Sequence, residues 1–414
     1  MTSRLDPTQA YPHIRVLDMS RVLAGPLAGQ LMADLGAEVI KIERPGAGDD
    51  TRHIGPPFIK DTDGNPTTEA AYYLCVNRGK KSITVDISNP QGQQVIRDLA
   101  AHADVLIENY KVGDLARYGL TYQDLKAVNP RLIYCSITGF GQTGPYREKV
   151  GYDFLIQAAG GLMSLTGHGD GQPGGGPMKV GVPVTDVVTG LYAVVAIQAA
   201  LARRERCGTG ENIDLALLDC NVAMLTNQGQ NFLSGDGSVS PRMGNTHPNV
   251  APNDVYATAD GHLVLSIGSD LQYRRFCAAV GRPDLSADAR YVSNPQRMVN
   301  MAGLTHEVAA ILAAGTTRHW EDRFGPAGVP VGPINTLAQV FKHPQVLERG
   351  MLFEMDHPLG GKVPLTANPI HFTEAPIRYG LPPPLLGQHT RDVLGDVLGL
   401  DEAQIDSLVA QGAL

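Results

Sequence analysis

Three kinds of residue in this chain could do chemistry: cations near strand ends, carboxylates at helix starts, and single Tyr and His residues in polar stretches. Lys41 and Arg44 follow the alternating run at 38–42. Arg78, Lys80 and Lys81 precede Ser82, and Lys111 and Arg117 follow the apolar run at 105–107. In doubly wound α/β folds, ligands bind outside the carboxyl ends of the strands. Arg grips phosphate in a bidentate fork and Lys acts as a point charge. Lys41, Arg44, Lys111 and Arg117 together would therefore suit a multiply phosphorylated ligand. The plain alternative is a solvated surface with ordinary ion pairs, and the spacing leaves both readings open.

Asp186, in Val184-Thr185-Asp186-Val187, stands where a long helix is expected to begin. Asp is a favoured N-cap, because its carboxylate accepts backbone N–H bonds. A carboxylate at a helix start is also expected to stay ionised, as a nucleophile must. The two roles are compatible. Tyr152-Asp153 precedes another helix-like run. Tyr152 can donate a hydrogen bond to a carboxylate, while a buried Tyr beside a second capping Asp is the plainer account. His247, in Asn245-Thr246-His247-Pro248-Asn249, lies in a polar stretch. A structural role there competes with contact to a substrate carboxylate. Trp320 is the single tryptophan and reads as a packing residue.

Several chemistries are excluded. Gly169-Asp170-Gly171-Gln172-Pro173-Gly174 matches G-x-G-x-x-G, but a proline sits inside it and more glycines follow where a helix should open. It reads as a loop, not a dinucleotide site. The chain has no phosphate loop of the G-x-x-x-x-G-K-[ST] type, no H-E-x-x-H and no G-x-S-x-G. Five scattered cysteines without a C-x-x-C pair give neither a disulfide framework nor a zinc site. The formal net charge of −8 argues against a general nucleic-acid binder. The segment 1–12 is polar and lacks the apolar core of a signal peptide, and 191–202 is too short for a membrane span. A cytoplasmic enzyme with reduced thiols is the expectation.

These residues need a scaffold, and the first half of the chain supplies one. Strand signals at 14–18, 38–42, 82–86, 105–107 and 132–137 alternate with helix signals at 26–35, 90–101, 115–118 and 122–128. Alternation of this kind points to an α/β fold with a parallel, doubly wound sheet. A Gly-rich loop at 167–177 precedes a helix expected over 187–204. A turn and strand follow at 208–217, and a polar stretch at 234–252. Two strands joined by Asp260-Gly261 are expected within 254–267, with helices at 271–280, 304–312 and 390–398. The expected division is a large Rossmann-like domain over 1–225, a small α+β domain over 226–335, and a linker with return to the large domain over 336–414.

A set of ordered motifs then becomes recognisable. Val16-Leu17-Asp18, Arg21-Val22-Leu23-Ala24-Gly25-Pro26 and Leu35-Gly36-Ala37-Glu38-Val39-Ile40-Lys41-Ile42-Glu43-Arg44-Pro45 open the chain. Asn77-Arg78-Gly79-Lys80-Lys81-Ser82, Glu108-Asn109-Tyr110, Gly139-Phe140-Gly141-Gln142-Thr143-Gly144-Pro145 and Gly151-Tyr152-Asp153 follow. Gly328-Val329-Pro330 and Leu386-Gly387-Gln388-His389-Thr390 close the series. Together they resemble the class III CoA-transferases, the family of formyl-CoA transferase and carnitine CoA-transferase, over nearly the whole chain.

The resemblance implies a Rossmann-like large domain, a small domain, and two chains interlocked as a homodimer. It implies no permanently bound cofactor, with a coenzyme A thioester and a carboxylic acid as the partners. It assigns the catalytic aspartate to Asp186. It places Leu23, Ala24, Arg44, Val85, Asp86, Asn109, Lys111, Arg117, Tyr152 and Asp153 around coenzyme A or substrate, with His247 as a further candidate. Exchange between a thioester and an acid needs no ATP, in keeping with the missing phosphate loop. Leu23 stands where formyl-CoA transferases have Gln, and Thr246-His247-Pro248-Asn249 stands where they have four glycines. Both departures point away from formate and oxalate, toward a C4 or C5 dicarboxylate with succinyl-CoA as donor. Arg242 and His247 are the candidates for its second carboxylate. Two rivals share the fold: an α-methylacyl-CoA racemase, in which a His occupies the place of Tyr152, and a CoA-binding paralogue without activity.

Overall fold

The structure, a computed structural model, describes residues 9–414; residues 1–8 of the polar leading segment lie outside it. The chain divides into two compact units. The larger holds the described residues up to Leu162, then Lys179–Ser238 and Gln345–Leu414; the smaller holds Met163–Met178 and Val239–Pro344.

The larger unit is built on six parallel strands: β1 (Arg15–Asp18), β2 (Glu38–Glu43), β5 (Lys80–Thr84), β6 (Val105–Glu108), β7 (Ile133–Thr138) and β8 (Glu211–Ala216). Between β2 and β5 the chain makes a separate antiparallel hairpin, β3 (Phe58–Lys60) and β4 (Pro66–Ala70). The sheet order is β5-β2-β1-β6-β7-β8. Counting only sheet strands, that is 3-2-1-4-5-6, the Rossmann order, with its switch point between β1 and β6. The expected α/β class is thus borne out.

Both faces of the sheet are covered, so successive strand residues feed two cores. Leu17, Ile40, Ile83 and Leu106 pack toward the helices Pro90–Ala101, Thr390–Leu398 and Glu402–Ala410. Val16, Val39, Val105 and Ile133 pack toward the helices Ala24–Asp34 and Val184–Cys207. The helix Val184–Cys207 is longer than its sequence signal at both ends. Among the described residues it is the one helix long and apolar enough to cross a membrane, with 44% of its most apolar window buried inside the chain. Its buried side, including Ala193, Ile197 and Leu201, belongs to the sheet core.

The smaller unit is an antiparallel sheet of β9 (Asn253–Ala257), β10 (His262–Ser266) and β11 (Val331–Pro333) with helices around it. In its core Trp320 stacks on Phe324, with ring centroids 5.3 Å apart, and Phe276 lies tilted against Phe324 at 5.6 Å. Its boundaries lie later than 226 and 336. The helices Leu217–Met224 and Thr226–Ser234 run on from β8 and stay with the parallel sheet. The Gly-rich loop joins the smaller unit because the Gly244 N–H donates to the Gly167 carbonyl at 3.0 Å and Arg242 Nε to the His168 carbonyl at 3.2 Å. A last hairpin, β12 (Leu352–His357) and β13 (Gly361–Thr366), packs with Tyr73 and Leu74 in the larger unit.

Candidate active site

Asp186 lies in the first turn of the helix Val184–Cys207 and is not its cap. The N-cap is Pro183, which has no side chain to offer the helix N–H groups. The cap comes from elsewhere. Asp153, which opens the helix Asp153–Ala159, accepts the Thr185 N–H at 2.8 Å and the Asp186 N–H at 3.3 Å through one carboxylate oxygen. Its other oxygen accepts from Gln157 Nε2 at 2.6 Å. A carboxylate 33 residues away in sequence thus satisfies two of the orphan donors that every helix start leaves.

Among the described residues nothing hydrogen-bonds the Asp186 side chain, which is only 9% exposed. It forms part of the wall of a cavity of about 200 Å³ shared with Leu23, Ala24, Asn109, Lys111 and Tyr152. Burial, and secondarily the nearby Asp153 charge, push its carboxyl up to about 7. Burial and the like charge thus oppose the ionisation that a helix start favours. The macrodipole contributes about 1 kcal/mol at such a position, less than this burial and like-charge pair oppose. Tyr72, half-buried, is near enough that burial and then the Asp186 charge raise its hydroxyl. Nothing in the sequence spacing singled out Tyr72.

Opposite Asp186 stands the turn from β1 into the helix Ala24–Asp34. Val22 adopts φ +70°, a left-handed conformation that costs a β-branched residue energy. It is held there by its neighbours. The Val22 N–H donates to Asp49 Oδ1 at 3.3 Å. Asn109 accepts the Arg21 N–H at 2.8 Å and donates to the Arg21 carbonyl at 2.7 Å. Leu23 then becomes a helix N-cap with no side-chain bond, leaving first-turn N–H groups unpaired beside the cavity. The two helices approach closely because residue 190, one turn after Asp186, is glycine. A Cβ there would lie 2.8 Å from the Ala24 carbonyl oxygen.

A second cavity of about 290 Å³ shares Arg21, Asp50 and Tyr110 with the first and extends to Arg44, Val85 and Asp86. The Arg21 guanidinium stands over the Tyr110 ring, 5.3 Å from its centroid, and 3.3 Å from Asp50. Arg44 is exposed at this second cavity.

The basic residues near strand ends thus separate into two groups. Lys41 is fully buried, with its ammonium 2.9 Å from Asp49 and 3.0 Å from the Ser20 carbonyl. Burial alone would raise the Asp49 carboxyl, yet Lys41 holds it down at about 2. Lys80 bonds Asp18 and the Pro26 carbonyl, each at 2.7 Å, and Arg78 bonds Asp34 at 2.6 Å. Each of these three cations is held by a buried partner, although Lys41 also lines the second cavity. Arg44 and Lys111 remain at the cavities, joined by Arg21, Arg147 and Lys149, which the sequence reading did not select. Arg117 is exposed, 3.9 Å from Asp114 and stacked on Tyr118, and lines neither cavity; Tyr118 does. His247 belongs to the smaller unit, where its Nδ1 accepts the Asn249 N–H at 3.0 Å. Arg242 is paired with Asp170 in the same unit. Tyr152 is 62% exposed at the rim of the first cavity rather than buried.

Comparison with known proteins gives consistent matches. The sequence profile of CoA-transferase family III matches residues 12–390. A succinate–glutarate CoA-transferase of Agrobacterium fabrum is 46% identical over 93% of this chain and 94% of its own length. A succinyl-CoA:glutarate CoA-transferase of Mus musculus is 43% identical over 100% of this chain and 92% of its own. Among solved structures, a CaiB/BaiF family protein from Brucella suis superposes with a TM-score of 0.81 at 44% identity. That match covers 94% of this chain and 99% of the other.

Proposed function

The chain belongs to CoA-transferase family III, and from that premise we propose that it carries CoA between succinyl-CoA and a C5 dicarboxylic acid such as glutarate, with Asp186 as nucleophile. Both relatives' names pair succinate or succinyl-CoA with glutarate, and this pairing agrees with the departures at Leu23 and 246–249. The single observation that carries the assignment of Asp186 is its placement. It is an unbonded, nine-tenths buried carboxylate facing an uncapped helix start across a cavity.

The chemistry is covalent exchange in four balanced steps. One Asp186 oxygen attacks the succinyl-CoA carbonyl carbon and expels CoA thiolate, leaving an aspartyl–succinyl anhydride. The thiolate attacks the aspartyl carbonyl and expels succinate, giving an aspartyl-CoA thioester. A glutarate carboxylate attacks that thioester carbonyl and again releases thiolate, forming an aspartyl–glutaryl anhydride. The thiolate finally attacks the glutaryl carbonyl, and the Asp186 carboxylate is restored. No proton is gained or lost across the cycle. Each attack builds an oxyanion, and the free first-turn N–H groups after Leu23 and the Tyr152 hydroxyl are the donors suited to it. Asp153 keeps the Asp186 backbone in place throughout. The second cavity, with Arg44 exposed at its wall, suits the phosphorylated end of CoA.

Exposed apolar side chains on two helices of the larger unit, Phe154 and Leu155 on one and Leu191 and Val195 on the other, support assembly as a homodimer. Light scattering on the purified protein tests that. The nucleophile is tested by brief incubation with succinyl-CoA and borohydride, then peptide mass mapping. Borohydride reduces an activated aspartyl acyl group to the alcohol, so a mass loss confined to the Asp186 peptide, and only with thioester present, is expected. Loss on another peptide, or normal CoA transfer by an Asp186→Asn protein, would sink the assignment.

A further inference from the structure

The loop that follows β5 walls the second cavity with Val85, Asp86 and Ser88. On its inner side it is an Asx turn: Asp86 accepts the Ser88 N–H at 2.8 Å and the Ser88 hydroxyl at 2.7 Å. On its outer side it is tied to a segment more than 300 residues further along the chain. The Asp86 N–H donates to the Ala413 carbonyl at 2.8 Å. Asn89, the N-cap of the helix Pro90–Ala101, accepts the Gln91 N–H and donates from Nδ2 to the Gln411 carbonyl at 2.8 Å.

The segment making these bonds is itself rigidly held. The helix Glu402–Ala410 begins with a capping box from Asp401 and Gln404, and its Ile405 is buried in the core. It ends through Gly412 at φ +70°, with the Gly412 N–H on the Val409 carbonyl and the Ala413 N–H on the Leu408 carbonyl. This is the left-handed termination that turns the chain back on its helix. It brings Ala413, 0% exposed, under the Asp86 loop. Arg391 pins the same helix to its neighbour through Asp406 at 2.6 Å and through Glu402.

We propose that the turn Gln411–Ala413 is a positioning element for acyl-CoA: it fixes the 85–88 loop in the conformation that walls the ligand. This rests on the reading that the cavity beside Arg44 receives the phosphorylated end of CoA. Gln411 and Ala413 do not touch the reacting atoms, so they act on binding and not on chemistry.

The test compares three variants by steady-state kinetics with succinyl-CoA and by thermal unfolding. Asn89→Asp keeps the helix cap but removes the donor to Gln411. Ala413→Leu overfills the buried site and lifts the turn away from Asp86. Arg44→Ala removes a cation from the cavity itself. The first two are expected to raise KM for succinyl-CoA about tenfold with kcat nearly unchanged, the size expected for one lost hydrogen bond or its equivalent. Ala413→Leu should also speed hydrogen exchange at the Asp86 amide. A fall in melting temperature with KM and exchange unchanged would mean that the turn merely stabilises the fold, and would overturn the proposal. If Arg44→Ala raises KM while the two turn variants do not, the positioning role fails and the cavity reading stands. If Arg44→Ala is also without effect on KM, the cavity reading fails and the proposal falls with it.

Discussion

The side-chain amide of Asn109 and the backbone of Arg21 face each other through two hydrogen bonds of opposite direction, at 2.8 and 2.7 Å. Asn109 ends the run after β6, and Arg21 opens the turn after β1. These are the two strands at the switch point of the sheet. The amide therefore joins the two lips of the crevice and braces the backbone that leads into Val22 and Leu23. Asn109→Ala removes both bonds, worth together about 1–3 kcal/mol where partly wet. Asn109→Asp removes only the donor to the Arg21 carbonyl. The expected order of kcat/KM is wild type, then Asp, then Ala, with the Ala protein lowest by at least about tenfold. Equal activity in all three would show that the Val22 turn stands without this brace.

Gly190 illustrates a second positioning constraint. Alanine is the better helix former by about 1 kcal/mol, so Gly190→Ala should stabilise an isolated helix. Here its methyl would lie 2.8 Å from the Ala24 carbonyl and 3.2 Å from Leu27, so one helix must shift. The shift opens the face that Asp186 and Leu23 share. Loss of kcat larger than the loss of stability is expected, read by steady-state kinetics beside thermal unfolding. Full activity in Gly190→Ala would mean the helix spacing has slack.

The buried ion pairs set a third expectation. Lys80 donates to Asp18, Asn77 and the Pro26 carbonyl with no solvent contact. Lys80→Met leaves the buried Asp18 carboxylate without its hydrogen-bonded cation and only Lys41 nearby, a change that costs about 3 kcal/mol. Burial opposes the Asp18 charge, but Lys80 and Lys41 outweigh it and hold the carboxyl below its ordinary value. A lowered carboxyl contributes stability above its unfolded pKa that is lost as pH falls through the folded one. Urea unfolding across the acid range should show a weaker acid limb in Lys80→Met. A variant as stable as the parent, with the same acid limb, would disprove the assignment of this pair.

What the sequence made legible follows the range of the forces involved. The helices Pro90–Ala101, Tyr122–Val128 and Thr390–Leu398 lie where the periodicity predicts. The first two carry their signals within a few residues: Asn89-Pro90 at one start and the Thr121–Asp124 capping box at another. The strands β1, β6 and β7 are plain because buried parallel strands are short apolar runs, and β2 because its residues alternate. The hairpin of β12 and β13 and the helix Glu402–Ala410 escaped, since neither stands apart by composition. At the candidate site, the helix start and the family resemblance single out Asp186. Its cap from Asp153 carries no local signal, because that bond spans 32 or 33 residues. Lys41 alternates in its strand like a surface residue, and only the fold reveals Asp49 beside it.

The Asp186 carboxyl, raised from 3.8 to about 7 by burial first and Asp153 second, gives the sharpest prediction. Between those two values the folded chain holds a proton that the unfolded chain has released. Stability therefore falls as pH rises through this window and stays lower above it. The penalty at pH 8 is on the order of a few kcal/mol, since each pKa unit is about 1.4 kcal/mol. Asp186→Asn, neutral in both states, removes it. The Asn protein should unfold at a higher temperature than the parent at pH 8, and the difference should vanish toward pH 4. With Asp186 as the nucleophile proposed above, catalysis is expected to run the other way, because only an ionised carboxylate attacks a thioester. For the parent enzyme, kcat/KM should rise with pH to a plateau above about 7, the free-enzyme pKa. A matched set of unfolding curves and rate profiles decides the matter. A flat profile from pH 5 to 8, or a stability gain of the Asn variant over the parent that is no larger at pH 8 than at pH 4, would show that Asp186 is ionised throughout.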